Sequence, residues 1–130
     1  MVEYYVVIDN IVDENNIQFR LYKFNPELSL KPIRVNNSYC DSSQKIIDIA
    51  ENSLCRNVDC KFYILGSDSF LRDMFDNNIT YFTHIQIEHS RQYGYKVVYR
   101  TYDNTNENIV IDLLDVSASG IFRYIRKLKI

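Results

Sequence analysis

Three aspartates lie at or within predicted elements, and carboxylates are the side chains that hold divalent cations when a fold brings them together. Asp9 closes an apolar run, Asp48 lies in a helix-patterned stretch, and Asp68 follows the run Tyr63-Ile64-Leu65-Gly66-Ser67. Carboxylates converging on two Mg²⁺ ions roughly 4 Å apart would serve phosphodiester hydrolysis, the metals clamping the attacking and leaving oxygens. The ordinary alternative makes Asp9 a turn residue and Asp68 a helix N-cap. A second set lies further along. His84, Glu88, Lys96, Arg100 and Asp112 share one face of a predicted sheet if Glu88 pairs with Lys96, His84 with Arg100 and Val98 with Asp112. That set suits acid–base chemistry or anion binding. Cross-strand charge pairs on a solvated face are the commoner reason for such a pattern. Cys40, Cys55 and Cys60 with a histidine would make a Cys₃His zinc set, but their spacing is not that of a zinc ribbon. Buried free thiols are the usual outcome, and no metal is assigned. Arg123, Arg126, Lys127 and Lys129 could touch phosphates, although a solvated helix face is the simpler reading.

The order of elements up to Asp68, with Asp68-Ser69 after an apolar strand, resembles the ribonuclease H fold over about the first 76 residues. The resemblance implies a Mg²⁺-dependent nuclease built on Asp9, Asp48 and Asp68. It departs where the family has a glycine-rich first turn, since Ile11-Val12-Asp13 stands there, and where a later acidic position has no counterpart. Leu65-Gly66-Ser67 also resembles the opening of a nucleotidyltransferase site, where a Gly-Ser turn enters a phosphate-cradling helix. Such a site needs two carboxylates two residues apart on the next strand. His84-Ile85-Gln86-Ile87-Glu88 supplies one. Ser69 to Phe75 and Ile109 to Leu128 resemble fragments of BTB/POZ domains, which implies a dimerising or adaptor-binding module. More than thirty residues separate the fragments here, against roughly ten in that family.

Around these residues the hydrophobic pattern lays out the scaffold. Glu3 to Asp9 and Ile17 to Phe24 read as strands joined by a polar turn, and Asn25-Pro26 stops the second. Lys31 to Val35 reads as a weak strand, placed at a sheet edge by Pro32. Asp41-Ser42-Ser43-Gln44 has the form of a capping box for a helix reaching about Leu54. Cys60 to Leu65 is a nearly continuous apolar run, as in a strand covered on both faces. A short helix over Phe70 to Phe75 follows. Tyr81 to Asp115 then alternates with period two in three runs, the mark of a meander with one buried face. Ser117 or Ser119 caps a last helix carrying Ile121, Phe122, Ile125 and Leu128 at helical spacing. The expectation is a single α+β domain over residues 1–130. Its sheet is mixed or antiparallel, with a C-terminal three-stranded meander and about three helices, in the order β-β-(β)-α-β-α-β-β-β-α. Expected core positions include Ile8, Phe19, Ile47, Leu65, Ile87, Leu113 and Ile125.

Composition narrows the function classes. The 46% hydrophobic and 25% charged residues are those of a globular chain, not a disordered one. A net charge of −2 argues against a non-specific nucleic-acid binder. Asn, Ile, Lys, Tyr and Phe abound while Gly, Ala, Arg and Pro are scarce. That contrast follows AT-rich codons and points to an AT-rich genome such as a large DNA virus or phage. Without an apolar run of membrane-spanning length, a basic-then-apolar leader or a dense cysteine framework, the chain is expected to be soluble and cytoplasmic, in the host cytoplasm if viral. The resulting expectation is a non-enzymatic interaction protein with a protein partner or a second copy of itself. It has no membrane partner and no cofactor, Mg²⁺ entering only with the nuclease alternative. The abundant tyrosines supply amphipathic contact area. The expected contact is a meander edge short of protecting charge, or the exposed face of the last helix.

Overall fold

The computed structural model describes residues 2–36, 40–55, 59–77, 84–90, 92, 94–100, 109–111, 117–126 and 128. The strands are β1 (Val2–Asp13), β2 (Asn16–Phe24), β3 (Ile33–Arg34), β4 (Cys60–Leu65), β5 (His84–Ser90), β6 (Gly94–Arg100) and β7 (Ile109–Ile111). The helices are α1 (Ser43–Cys55), α2 (Asp68–Asn77) and α3 (Ala118–Ile125). They form the expected α+β arrangement on a mixed sheet ordered β3-β2-β1-β4-β5-β6-β7. β1 and β4 run parallel, and the other neighbours are antiparallel. A parallel neighbour needs a long crossover. Here the chain leaves β1 through β2 and β3 and returns to β4 by way of α1.

Alternation along the strands sends side chains to two covered faces. Val6, Ile8, Phe19, Phe62, Ile64, Ile85 and Ile87 form one face, packed against Ile46, Ile47 and Ala50 of α1 and Ile121 and Ile125 of α3. Tyr5, Val7 and Leu65 form the other, with Leu71 and Phe75 of α2 laid against them. Tyr5, Val6, Val7 and Ile8 are therefore all buried, which marks β1 as a central strand. Aromatic pairs stiffen both sides. Tyr4 stacks on Phe62 at 4.8 Å and Tyr5 on Tyr63 at 5.1 Å, while Phe75 meets Tyr5 and Phe24 edge-on.

Several local readings need correction. β1 does not end at Asp9 but runs to Asp13 through two register shifts, so the expected Asn10–Asn16 turn shrinks to Glu14-Asn15. Bulges let polar residues stay in a ladder that a polarity count would end. The Asp13 carboxylate closes that turn by accepting from Asn15 N at 2.8 Å and Asn16 Nδ2 at 2.9 Å. β3 is two residues long, not five, and lies at the sheet edge. The capping box at Asp41 does not form. Asp41 is held in a bridge to Ile17, and Gln44 Nε2 donates forward to Asp48 Oδ1 at 3.0 Å. At the other end of the chain the Ser117 hydroxyl caps α3, accepting from Gly120 N at 3.1 Å. Val98 pairs with Val110, not with Asp112. A two-residue slip keeps every side chain on its face, so alternation could not choose between the two registers. Gly94 opens β6 at φ +73°, a conformation that costs a residue with a Cβ.

Candidate functional site

The three aspartates do not share a site. Asp9 falls at the register skip between Ile8 and Asn10, and Asp68 opens α2. Arg20, from β2, lies between them. Its Nη2 is 2.7 Å from Asp9 Oδ1, its Nε donates to Asp9 Oδ2 at 3.0 Å, and its Nη1 is 2.7 Å from Asp68 Oδ1. The same Nη1 reaches the Tyr22 hydroxyl at 3.4 Å. Hydrogen bonding to Asp9, then to Asp68, outweighs partial burial and holds the guanidinium charge more firmly than usual. A fixed cation thus takes the place between the two carboxylates. Asp48 belongs to α1, which covers the opposite face of the sheet, and pairs with Gln44. Among the described residues no group of three or more His, Cys, Asp or Glu side chains is placed to hold a metal ion.

The polar sheet face is assembled in part. His84 pairs with Arg100 and Glu88 with Lys96 across β5 and β6, in the expected register. Glu88 also makes an ion pair with Lys61 of β4 at 3.4 Å. Asp112 lies outside the described residues. His89 falls on the other face and is buried, where loss of solvent lowers its pKa against the pull of Glu51, Asp59 and an Ala50 backbone contact. Cys40 is exposed and Cys60 buried, both as free thiols. Burial pushes the Cys60 pKa up to about 11. Arg123 and Arg126 are exposed on α3 beside Glu14, Ser119 and Phe122. Arg126 lies 5.9 Å from the Phe122 ring centre, and Ser119 donates to Glu14 at 3.0 Å.

The feature that sequence reasoning passed over is the segment around β3. Leu28, Leu30, Ile33 and Val35 are exposed at 84%, 92%, 60% and 50% of their surface, four large apolar side chains within eight residues. Lys31 and Pro32 of this segment help line a groove of about 280 Å³ between β2 and α2, together with Tyr22, Leu71, Arg72, Phe75 and Asp76. A signal was present. Leu28 and Leu30 stand between the strand break at Asn25-Pro26 and Pro32, where neither helical nor strand period has room to bury them.

The arrangement can bind an apolar side chain, and no metal-ligating set stands beside it among the described residues. No protein-family model, curated protein or solved structure matches this chain.

Proposed function

We propose that this chain is a non-enzymatic interaction protein, acting through contact with another protein or with a second copy of itself. The observation that carries the reading is the exposure of four large apolar side chains, Leu28, Leu30, Ile33 and Val35, in one short segment. Burying one such side chain contributes roughly 1.5–3 kcal/mol. Scaled by their exposed fractions of 84%, 92%, 60% and 50%, the four give on the order of 4–9 kcal/mol before the cost of association when one partner covers them all, against the roughly 8 kcal/mol of a micromolar complex. The contact is made by side chains and not by sheet extension. With two residues in β3 and no N–H on Pro32, the edge has little free backbone to pair. The rest of the molecule fits a binding role: Arg20 neutralises Asp9 and Asp68, and Glu88 makes an ion pair with Lys61. An AT-rich viral or phage gene and a cytoplasmic site of action complete the proposal. No helix among the described residues is long and apolar enough to cross a membrane.

The test compares the wild-type chain with a Leu28→Glu/Leu30→Glu variant, both checked for folding by circular dichroism. Light scattering at micromolar concentration reads self-association, and crosslinking in extract of the source cell reads other partners. Association that is lost in the variant supports the proposal. A monomer with no partner specific to the wild type overturns it.

A further inference from the structure

We infer that the groove between β2 and α2 takes an acidic peptide segment that carries one large apolar anchor residue. This deepens the interaction reading and rests on it. Tyr22, Pro32, Leu71 and Phe75 give the groove an apolar interior. Phe75 is itself fixed edge-on against Tyr5 at 5.4 Å and Phe24 at 5.2 Å, so the interior is preorganised. Leu28 and Leu30, three and one residues before Lys31 in the chain, are exposed at 84% and 92% of their surface.

The charge around the groove selects the partner. Lys31 and Arg72 line it, and Arg34 stands opposite Tyr22 in the β2–β3 register, on the face that Tyr22 occupies. All three are exposed, and none forms an ion pair among the described residues. Arg34 Nε donates to Asn36 O at 3.0 Å, which restrains its side chain. In its own lining the groove carries two cations, Lys31 and Arg72, against one carboxylate, Asp76, in a chain whose net charge is −2. Local positive charge on an acidic protein steers and orients an acidic partner. A nucleic-acid strand is the poorer fit. The cations gather around one short pocket instead of tracking a backbone, Asp76 stands among them, and Phe75 is packed edge-on between other rings instead of offering a stacking platform.

Fluorescence polarisation tests this with a labelled Asp-Asp-Phe-Asp-Asp peptide, a Lys-Lys-Phe-Lys-Lys peptide, an Asp-Asp-Ala-Asp-Asp peptide and a labelled thymidine oligonucleotide. The acidic phenylalanine peptide binds and the basic one does not. Replacing the anchor by alanine weakens binding by about tenfold or more, the loss of one buried aromatic side chain. Arg72→Glu, an exposed helix position, weakens it by a similar factor, and added salt weakens it further. Arg123→Glu on α3, the control, leaves it unchanged. Equal binding of acidic and basic peptides, no effect of Arg72→Glu in a folded variant, tighter binding of the oligonucleotide, or no peptide binding at all overturns the inference. If the Leu28→Glu/Leu30→Glu variant still loses association while no acidic peptide binds, the interaction reading stands and the partner chemistry fails. Self-association abolished by Arg72→Glu, with no peptide bound, would identify a second copy as the occupant and also overturn the inference.

Discussion

Replacing Arg20 by glutamine removes a side chain that joins β2, the bulged part of β1 and the start of α2. The side chain donates to both oxygens of Asp9 and contacts Asp68 at 2.7 Å. These groups are partly exposed, the Arg20 side chain at 22%, Asp9 at 40% and Asp68 at 51%. Solvent therefore screens each pair toward the surface range of about 0.2–1 kcal/mol, with the forked geometry at Asp9 favouring its upper end. Two pairs give about 1–2 kcal/mol for Arg20→Gln at low salt and neutral pH. Asp68→Asn alone should cost about 0.5–1 kcal/mol. The two changes must not add. Once Arg20 is gone, Asp68 faces Asp9 without a cation between them, so Asp68→Asn becomes neutral or stabilising in that background. Urea unfolding followed by far-ultraviolet circular dichroism suits a chain without tryptophan. Raising the salt concentration should shrink the Arg20→Gln effect. Mg²⁺ added to the wild type should leave the midpoint unmoved, because Arg20 already occupies the space between the carboxylates. An equal cost of Asp68→Asn in both backgrounds would refute the coupling. Stabilisation of the wild type by Mg²⁺ would return Asp9 and Asp68 to the nuclease alternative.

The other predictions concern the buried groups. Ile87→Ala, at a position 1% exposed that pairs with Phe62 and Val97, should cost about 2–4 kcal/mol. The urea midpoint should fall by about 1–2 M at the slope usual for this size, and an unchanged midpoint would mean the face is misassigned. His89 has a pKa lowered by burial, so below about pH 6.5 the unfolded chain takes up a proton that the folded chain resists. Stability should therefore be lost as the pH falls through that range, and His89→Gln should show a smaller loss between neutral and mildly acidic pH. With its thiol pushed up to about 11, Cys60 in a Cys40→Ser/Cys55→Ser variant should stay unreactive toward a thiol reagent at pH 8 until the protein is unfolded. The Ser43 hydroxyl is buried without a hydrogen-bond partner at the start of α1, so Ser43→Ala should be neutral or stabilising by up to about 1 kcal/mol. A clear loss there would reveal a bond to the hydroxyl.

Residue order alone determined the α+β class, because period-two and helical patterns are local and survive any topology. It also placed His84 opposite Arg100 and Glu88 opposite Lys96, since a short turn leaves few registers that keep Ile85 and Ile87 inside. The same locality explains where it stopped. The bulge at Asp9 turns on backbone pairing with β2, and the β6–β7 register turns on a choice between slips that bury the same residues. Tertiary structure alone separated Asp48 from Asp9 and Asp68, by laying α1 and α2 on opposite faces of the sheet. It alone put Arg20 between two aspartates 11 and 48 residues away. Carboxylates at element ends look alike in a sequence, and only the packing of helix on sheet says which of them meet and what stands between them. The exposed leucines follow the same rule. Leu28 and Leu30 are apolar by type, but whether an apolar residue is core or contact surface depends on what folds over it, and nothing among the described residues covers these two.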